Sequence, residues 1–371
     1  MMNPLIAVAG QFTANEILNI QEYGHGNVND TFLVTLNSGA EKFILQRISA
    51  RVFSRPELIT ANMRALTQHV DERLKQEPAG SGHRWELPRI LAAQDGKDYF
   101  LDSQAAFWRA TSFIPNSRTY ETIQSTEHAQ EAGYTLGKFH NLVSDLETNK
   151  LHDTLPGFHI TPRYLKQYDR VQARNHTSPE AKHCAQFIAR RRDWASVLEK
   201  AKEGNKLSLR PIHGDPKINN IMMDNSNGRA VGIIDLDTVK PGLVHYDIGD
   251  CLRSCCNPLG EETHNVKGVH FNADLCRAIL QGYLAAANGF LGQNDYLYLY
   301  DATRLIAFEL GLRFFTDYLA GNVYFKAKHQ EHNLARALVQ FQLTKSIESQ
   351  EADIRTLIDA LTPPSAANGV G

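Results

Sequence analysis

The sequence has no disulfide or metal framework. Its five cysteines, Cys184, Cys251, Cys255, Cys256 and Cys276, are odd in number, and none stands in a C-x-x-C pair or near a histidine spacing that suits a metal. Free, packed thiols in a reducing cytoplasm are the expectation. Long uncharged apolar runs are missing too. The stretch 297–315 is broken by Asp301, Arg304, Glu309 and Arg313, so the roughly 20 apolar residues of a membrane span never accumulate. The N-terminal segment carries no basic region and too short an apolar core for a secretion signal. Charge of one sign is equally scarce: Lys plus Arg at 39 against Asp plus Glu at 41 leave a net charge of -2, which excludes a global pull toward nucleic acid or an anionic membrane. No G-K-[ST] follows a glycine-rich segment, so a Walker A loop is excluded. Repeats and low-complexity tracts are absent, and only the small-residue tail 363–371 is expected to fray. What remains is a globular profile of 371 residues, with room at about 150 residues per domain for two domains that each bury a core.

The first third of the chain reads as strands. Thr31-Phe-Leu-Val-Thr-Leu36, the turn cluster Asn37-Ser38-Gly39 and Lys42-Phe-Ile-Leu-Gln-Arg-Ile48 predict an antiparallel hairpin. From Pro56, Leu58, Ile59, Met63, Leu66, Val70 and Leu74 recur at helical spacing, predicting one helix packed on the sheet. Short strands are expected around 89–93, 98–102 and 107–113. Beyond residue 120 the period turns helical, at 125–147, 179–203, 273–288, 294–320 and 331–361, interrupted by a strand pair at 221–224 and 231–235 around an Asn225 to Gly228 turn. The expected class is α+β, with an antiparallel-sheet lobe over residues 1–114 and a mainly helical lobe over residues 115–371.

The segment from His213-Gly-Asp215-Pro-Lys217 through Asn220 to Asp235-Leu-Asp237 has the spacing that phosphoryl transfer needs. Asp215 can accept the proton of a substrate hydroxyl. Asn220, and Asp235 beyond a hairpin, can bring oxygen ligands to a Mg²⁺ ion that bridges ATP phosphates. Lys217 can neutralise charge on the transferring phosphoryl group. Each residue alone is compatible with a local cap or Asx turn; the joint spacing, with an apolar strand leading into Asp235, favours the chemistry. His213 is expected to be a packed support rather than a base.

Upstream, Tyr23-Gly24-His25-Gly26-Asn27-Val28-Asn29 precedes the first good strand, so Gly24, Gly26 and Asn29 belong either to a flap over ATP phosphates or to a plain turn. The strand that would carry a phosphate-holding lysine has none. Gln46 occupies the inward position, or a bulge turns Arg47 inward, or Arg47 is a solvated charge; Glu57 is a possible partner for Arg47 or a helix-dipole residue. Only eleven residues separate Asp235 from Asp247, and no A-P-E follows, so a peptide-docking platform is missing and a small-molecule acceptor is expected. Asp247 is expected to hold the catalytic loop. Arg313, Asp317, Tyr318 and Tyr324 combine charge and aromatics in one segment. Arg313 and Asp317 form either a surface ion pair at i, i+4 or part of an acceptor pocket. Arg190 to Arg192 reads as a solvated helix face.

The run from His213 to Asn220, with Ile234-Asp235-Leu-Asp237, resembles the aminoglycoside phosphotransferase and choline kinase superfamily, whose fold is two-lobed and protein-kinase-like. Within it, the blocks Gly26 to Phe32, Phe43 to Ile48 with Val52-Phe53, Asp235 to Gly242, Tyr246 to Asp250, and Arg313 to Lys326 with His332 to Arg336 look like kinases of N-acetylhexosamines that act on the anomeric hydroxyl. The resemblance implies ATP and Mg²⁺ as cofactors, Asp215 as base, Asn220 and Asp235 as metal ligands, Phe113 and Ile114 at a hinge beside adenine, and Arg313 near the acceptor. Pro216 departs from the small polar residue expected after the base. Residues 305–328 carry Arg313, Lys326 and Lys328 against Glu309 and Asp317, a balance that suits a neutral acceptor better than a polycation. Two other functions fit the same residues: a kinase of another small alcohol, and a catalytically silent nucleotide-binding module.

Overall fold

Side-chain alternation along the first strands decides which face each residue joins. The computed structural model describes residues 4–24, 28–37, 39, 41–77, 84–172 and 178–364. Strands β1 (Ile17–Glu22), β2 (Asp30–Leu36), β3 (Lys42–Ile48), β4 (Ile90–Leu91), β5 (Phe100–Leu101) and β6 (Phe107–Ser112) form an antiparallel sheet in the order β1-β2-β3-β6-β4, with β5 also on β6. Helix α1 (Pro4–Ala9) covers one face, where Val8, Ala9 and Phe12 meet Val34, Phe43, Leu45 and Ala110. Helix α2 (Glu57–Lys75) covers the other through Ile59, Met63, Leu66 and Val70. The predicted hairpin and single large helix are present. β1 and α1 were not expected: β1 lies at the sheet edge and is half solvated, so it lacks a clean apolar alternation.

After Ser112 the chain crosses to the second lobe. There β7 (Ser117–Arg118) joins the hairpin of β9 (Ile221–Asp224) and β10 (Ala230–Ile233), while β8 (Arg210–Ile212) pairs with β11 (Lys240–Gly242). The helices are α3 (Thr126–Leu142), α4 (Thr161–Val171), α5 (Pro179–Ala189), α6 (Val197–Glu203), α7 (Val244–Cys255), α8 (Ala273–Ala287), α9 (Gln293–Leu297), α10 (Leu299–Ala320), α11 (His332–Ser349) and α12 (Glu351–Leu361). α3 starts at the Ser125 side chain, which accepts from His128 N. It lies so close to α8 that a Cβ on Gly133 would sit 1.9 Å from Ile279 O, and one on Gly282 would sit 2.0 Å from Gln130 O. α10 is apolar on most sides and packs against α4, α7 and α11, which makes it the spine of the lobe.

Several expected helices are shorter or divided. The pattern over 179–203 is α5 and α6 with a 3-10 turn between them, and the pattern over 331–361 breaks at Gln350. Arg190 to Arg192 is no uniform solvated face: Arg191 stacks on Phe187 with 3.5 Å to the ring centroid and pairs with Glu348, and Arg192 pairs with Asp169 at 2.7 Å. All five cysteines are free and buried, as expected of packing residues. No helix among the described residues is long and apolar enough to cross a membrane.

Candidate functional site

The turn after β8 is held from three sides. Asp247 on α7 accepts from His213 N at 2.6 Å, from Gly214 N at 2.8 Å and from His140 Nε2 at 2.9 Å. This is the loop-holding role expected of it. Gly214 has φ +90°, and a Cβ there would meet Thr238 O at 2.7 Å, so only glycine fits. From the α10 side, His159 Nε2 lies 2.7 Å from Gly214 O and its Nδ1 lies 3.0 Å from Glu309 Oε1, while Thr161 Oγ1 donates to Glu309 Oε2 at 2.6 Å. His213 is fully buried, donates from Nε2 to Ile234 O at 3.0 Å and accepts at Nδ1 from Asp215 N at 3.2 Å. Burial lowers its pKa, so it is a neutral support, as expected.

Asp215 then projects into a cavity of about 460 Å³ between the lobes, with its side chain 28% exposed. Burial opposes its charge, but the Lys217 ammonium, 2.8 Å from Asp215 Oδ2, and the Arg253 guanidinium outweigh it and hold the carboxyl below its usual range. Asn220 turns its amide nitrogen back to Asp215 O at 2.7 Å, leaving Oδ1 without a hydrogen-bond donor among the described residues. The β9–β10 register, closed by Ile234 N donating to Asn220 O at 2.8 Å, delivers Asp235 beside it. Asp235 has φ 65°, a left-handed conformation that costs a non-glycine residue of order 1–3 kcal/mol. Burial first, and then the neighbouring Asp237 carboxylate, push the Asp235 carboxyl up to about 7.

On the sheet-lobe side, β2 and β3 pair without a bulge, so Phe43, Leu45 and Arg47 share one face and Ile44, Gln46 and Ile48 the other. Gln46 therefore points inward and lines the cavity. Arg47 does not: it lies 52% exposed and pairs with Asp30, and Glu57 pairs with Arg55 instead. The cation that sequence reasoning missed is Arg109, directly across from Gln46 on β6. It is 2% exposed, donates to Gln46 Oε1 at 2.7 and 3.0 Å, and forms an ion pair with Asp237. Asp237 also accepts from Asn29 Nδ2 at 2.7 Å, and Asn29 Oδ1 accepts from Ser49 N at 3.0 Å. The Asn29 side chain thus ties the start of β2 to the helical lobe rather than standing free for a phosphate. Gly24, at φ +76°, lines the cavity; Gly26 lies outside the described residues. Phe113 and Ile114 both line it at the crossing between lobes, where Ile114 packs with Met222, Val231 and Ile234. Met222, Ile234 and Ile44 add an apolar wall that the sequence did not single out.

At the other end, Arg313 on α10 reaches the cavity through a ring of aromatics: Phe158 at 4.9 Å, Tyr164 at 5.1 Å, Phe325 at 5.3 Å and Tyr324 at 5.8 Å from the guanidinium carbon. It makes no salt bridge among the described residues, so the predicted Arg313–Asp317 pair is absent. Asp317 is not in the pocket either. Its Oδ1 accepts from Val323 N and Tyr324 N at 2.9 and 2.8 Å, and its Oδ2 from Phe325 N at 3.0 Å and Asn333 Nδ2 at 3.0 Å. Its work is to shape the loop that presents Tyr324 and Phe325. Tyr318 stacks on Phe315 away from the cavity, whereas Tyr324 lines it. Lys326 lies 3.3 Å from Asp30 Oδ1, and Arg51 donates to Tyr324 O at 3.3 Å, joining this loop to the sheet lobe.

A base candidate, two oxygen donors and a cation thus face one cavity that is apolar at its hinge end and aromatic at its far end. No cluster of three or more His, Cys, Asp or Glu side chains suited to a metal occurs among the described residues. The donor set of Asn220 Oδ1 and the Asp235 carboxylate nevertheless suits Mg²⁺, which takes one or two protein oxygens and completes its shell with phosphates and water.

Several solved structures share this fold. An aminoglycoside phosphotransferase from Alicyclobacillus acidocaldarius subsp. acidocaldarius superimposes with a TM-score of 0.63 at 15% identity, covering 97% of both chains. A microcompartment-associated aminopropanol kinase gives 0.65 at 14% identity over 95% of this chain and 99% of that one. A choline kinase from Cryptosporidium parvum gives 0.58 at 14% identity, covering 95% of both. The likeness extends the two-lobed, protein-kinase-like fold to this chain, as its sequence suggested. Since residues 19–287 match the sequence model of the phosphotransferase enzyme family (APH), the chain belongs to that family.

Proposed function

We propose that the protein transfers the γ-phosphoryl group of ATP to a sugar hydroxyl, the anomeric hydroxyl of an N-acetylhexosamine, with residues 1–114 holding the nucleotide and residues 115–371 supplying catalysis and the acceptor site. The observation that carries the acceptor class is Arg313, a guanidinium facing the cavity amid aromatic rings with no salt bridge among the described residues. Ammonium acceptors call for a free carboxylate beside that guanidinium, yet both oxygens of Glu309, the α10 carboxylate that lines the cavity with it, are taken up inside the protein. A neutral ring that stacks on aromatics and offers oxygens to Arg313 suits this wall.

In this mechanism Asp215 takes the proton of the acceptor hydroxyl as its oxygen bonds to the γ-phosphorus and the bond to the β,γ-bridging oxygen breaks, releasing ADP. Lys217 holds Asp215 charged and lies where it can follow the transferring group. Asn220 and Asp235 would hold Mg²⁺, whose contribution when bound is to neutralise phosphate charge. Arg109 supports the active rather than the silent alternative, since it supplies a buried cation on the strand beside the one that lacks a lysine.

Incubation with ATP, Mg²⁺ and N-acetylglucosamine or N-acetylgalactosamine should yield a sugar phosphate whose anomeric proton couples to phosphorus and which has no reducing end. A primary phosphate would retain the reducing end, and no product from either sugar would defeat the substrate assignment. Arg313→Ala should raise the acceptor KM with little change in nucleotide affinity. For Asp235→Ala, calorimetry should find nucleotide affinity weakened with Mg²⁺ present and nearly unchanged without it; equal loss in both would mark Asp235 as structural.

A further inference from the structure

The last turns of α7 place a further carboxylate in the cavity wall that the transfer chemistry leaves unused. Asp250 is 5% exposed and lines the cavity. Its Oδ1 accepts from Arg253 Nε at 2.8 Å, and the other end of that guanidinium donates to Glu261 Oε2 at 3.0 Å. Its Oδ2 is buried and has no hydrogen-bond partner. A buried carboxylate oxygen left unpaired carries its full desolvation cost, so a donor arriving from the cavity is the natural complement. Asn219 repeats the pattern in the same cavity: its Oδ1 is buried without a partner, while its nitrogen donates to Glu121 Oε2 at 3.3 Å. The turn that carries Asn219 is held against α7 by Ile218 N donating to Ser254 Oγ at 3.1 Å.

Charge decides what kind of donor fits. Arg253 already pairs with Asp250, and Arg253 and Glu261 lie near enough to Asp215 and Lys217 to act on their charges. A metal ion would face that guanidinium at close range, and an ammonium would add a cation where one is already matched. A neutral hydroxyl supplies the missing hydrogen bond and adds no charge.

We propose that Asp250 Oδ2 binds the acceptor by accepting a hydrogen bond from a hydroxyl that is not phosphorylated, so that the acceptor is a polyol held by a hydrogen-bond acceptor on α7 and by the donors of Arg313 on α10. The inference rests on the reading of this cavity as the acceptor site and requires of the acceptor a second hydroxyl besides the one that is phosphorylated. It also assigns Asp250 a part in specificity, because an analogue lacking that hydroxyl leaves the buried oxygen unpaired again.

The test compares wild type with Asp250→Asn, which keeps an oxygen for Arg253, on N-acetylglucosamine, N-acetylgalactosamine and their single-deoxy analogues, with nucleotide affinity as the control for folding. Asp250→Asn should raise the acceptor KM about 10- to 100-fold, the range for a hydrogen bond to a charged group, with nucleotide affinity within about twofold. One deoxy analogue should be a poor substrate for wild type, yet fare no worse than its parent sugar with the variant, since the same bond cannot be lost twice. Asp250→Glu, which keeps the charge opposite Arg253 but displaces the oxygen, should raise KM likewise, and it replaces the amide variant if that one fails to bind nucleotide. Unchanged acceptor KM in the folded variants, or deoxy analogues that respond alike in wild type and variant, would overturn the role of Asp250 with the kinase reading intact. If wild type instead phosphorylates only simple amino alcohols such as aminopropanol, both the sugar and the polyol assignments fall.

Discussion

Asp215→Asn should lower the single-turnover rate of phosphoryl transfer by about 10²- to 10⁴-fold, the range for loss of a positioned general base, while nucleotide affinity stays near that of wild type. The selectivity follows from how the loop is built. Its backbone is fastened by Asp247 through His213 N and Gly214 N, and Asn220 holds the Asp215 carbonyl, so none of these bonds depends on the Asp215 carboxylate. What the amide loses is the charge that Lys217 sustains and the lone pair that takes the proton. Rapid-quench turnover and nucleotide titration on the same preparation measure the two effects separately. Turnover within a few-fold of wild type would remove Asp215 from the role of base.

Arg109→Met should destabilise the protein by about 3–5 kcal/mol, as removal of one partner from a buried ion pair does, because the Asp237 carboxylate would remain charged in the interior. The loss should reach beyond stability. Asp237 is the point where Arg109 of the sheet lobe, Asn29 just before β2 and the stretch following Asp235 converge. A free Asp237 charge next to Asp235 should weaken nucleotide binding as well. Arg109→Met combined with Asp237→Leu should recover much of the stability, since a buried pair exchanged for apolar side chains of similar size is often neutral. Thermal unfolding of the two single variants and the double variant gives the coupling. Strictly additive losses would mean that the pair contributes nothing as a pair.

Local pattern carried part of this site and not the rest. Asp215, Lys217, Asn220, Asp235 and Asp237 lie in one short stretch, and the hairpin between them is itself a local structure, so their convergence could be anticipated. The inward turn of Gln46 followed once the strand register was known, because a pleated strand alternates its faces. Arg109 carried no local signal. It reads as one charge in a short strand, after Phe107 and Trp108, and its meaning comes from Gln46, which is 63 residues away in sequence and directly opposite in the sheet. The bond between His159 and Glu309, 150 residues apart in sequence, was equally invisible. Asp317 shows the opposite error: charge beside aromatics suggested a binding residue, but four donors consume its oxygens.

By itself the sequence determined the division into a sheet lobe and a helical lobe, the family, and the convergence of the stretch from Asp215 to Asp237, because these depend on side-chain periodicity and on spacings short enough for the backbone to enforce. Tertiary structure alone decided which cation answers Gln46, which carboxylates are free to meet a ligand and which are spent, and how Arg313 and Asp250 come to face one cavity from α10 and α7. The difference is physical. A hairpin or a helix turn fixes its own neighbours within a few residues, whereas the hydrogen-bond partners of a buried charge are chosen by packing between elements that no local pattern encodes.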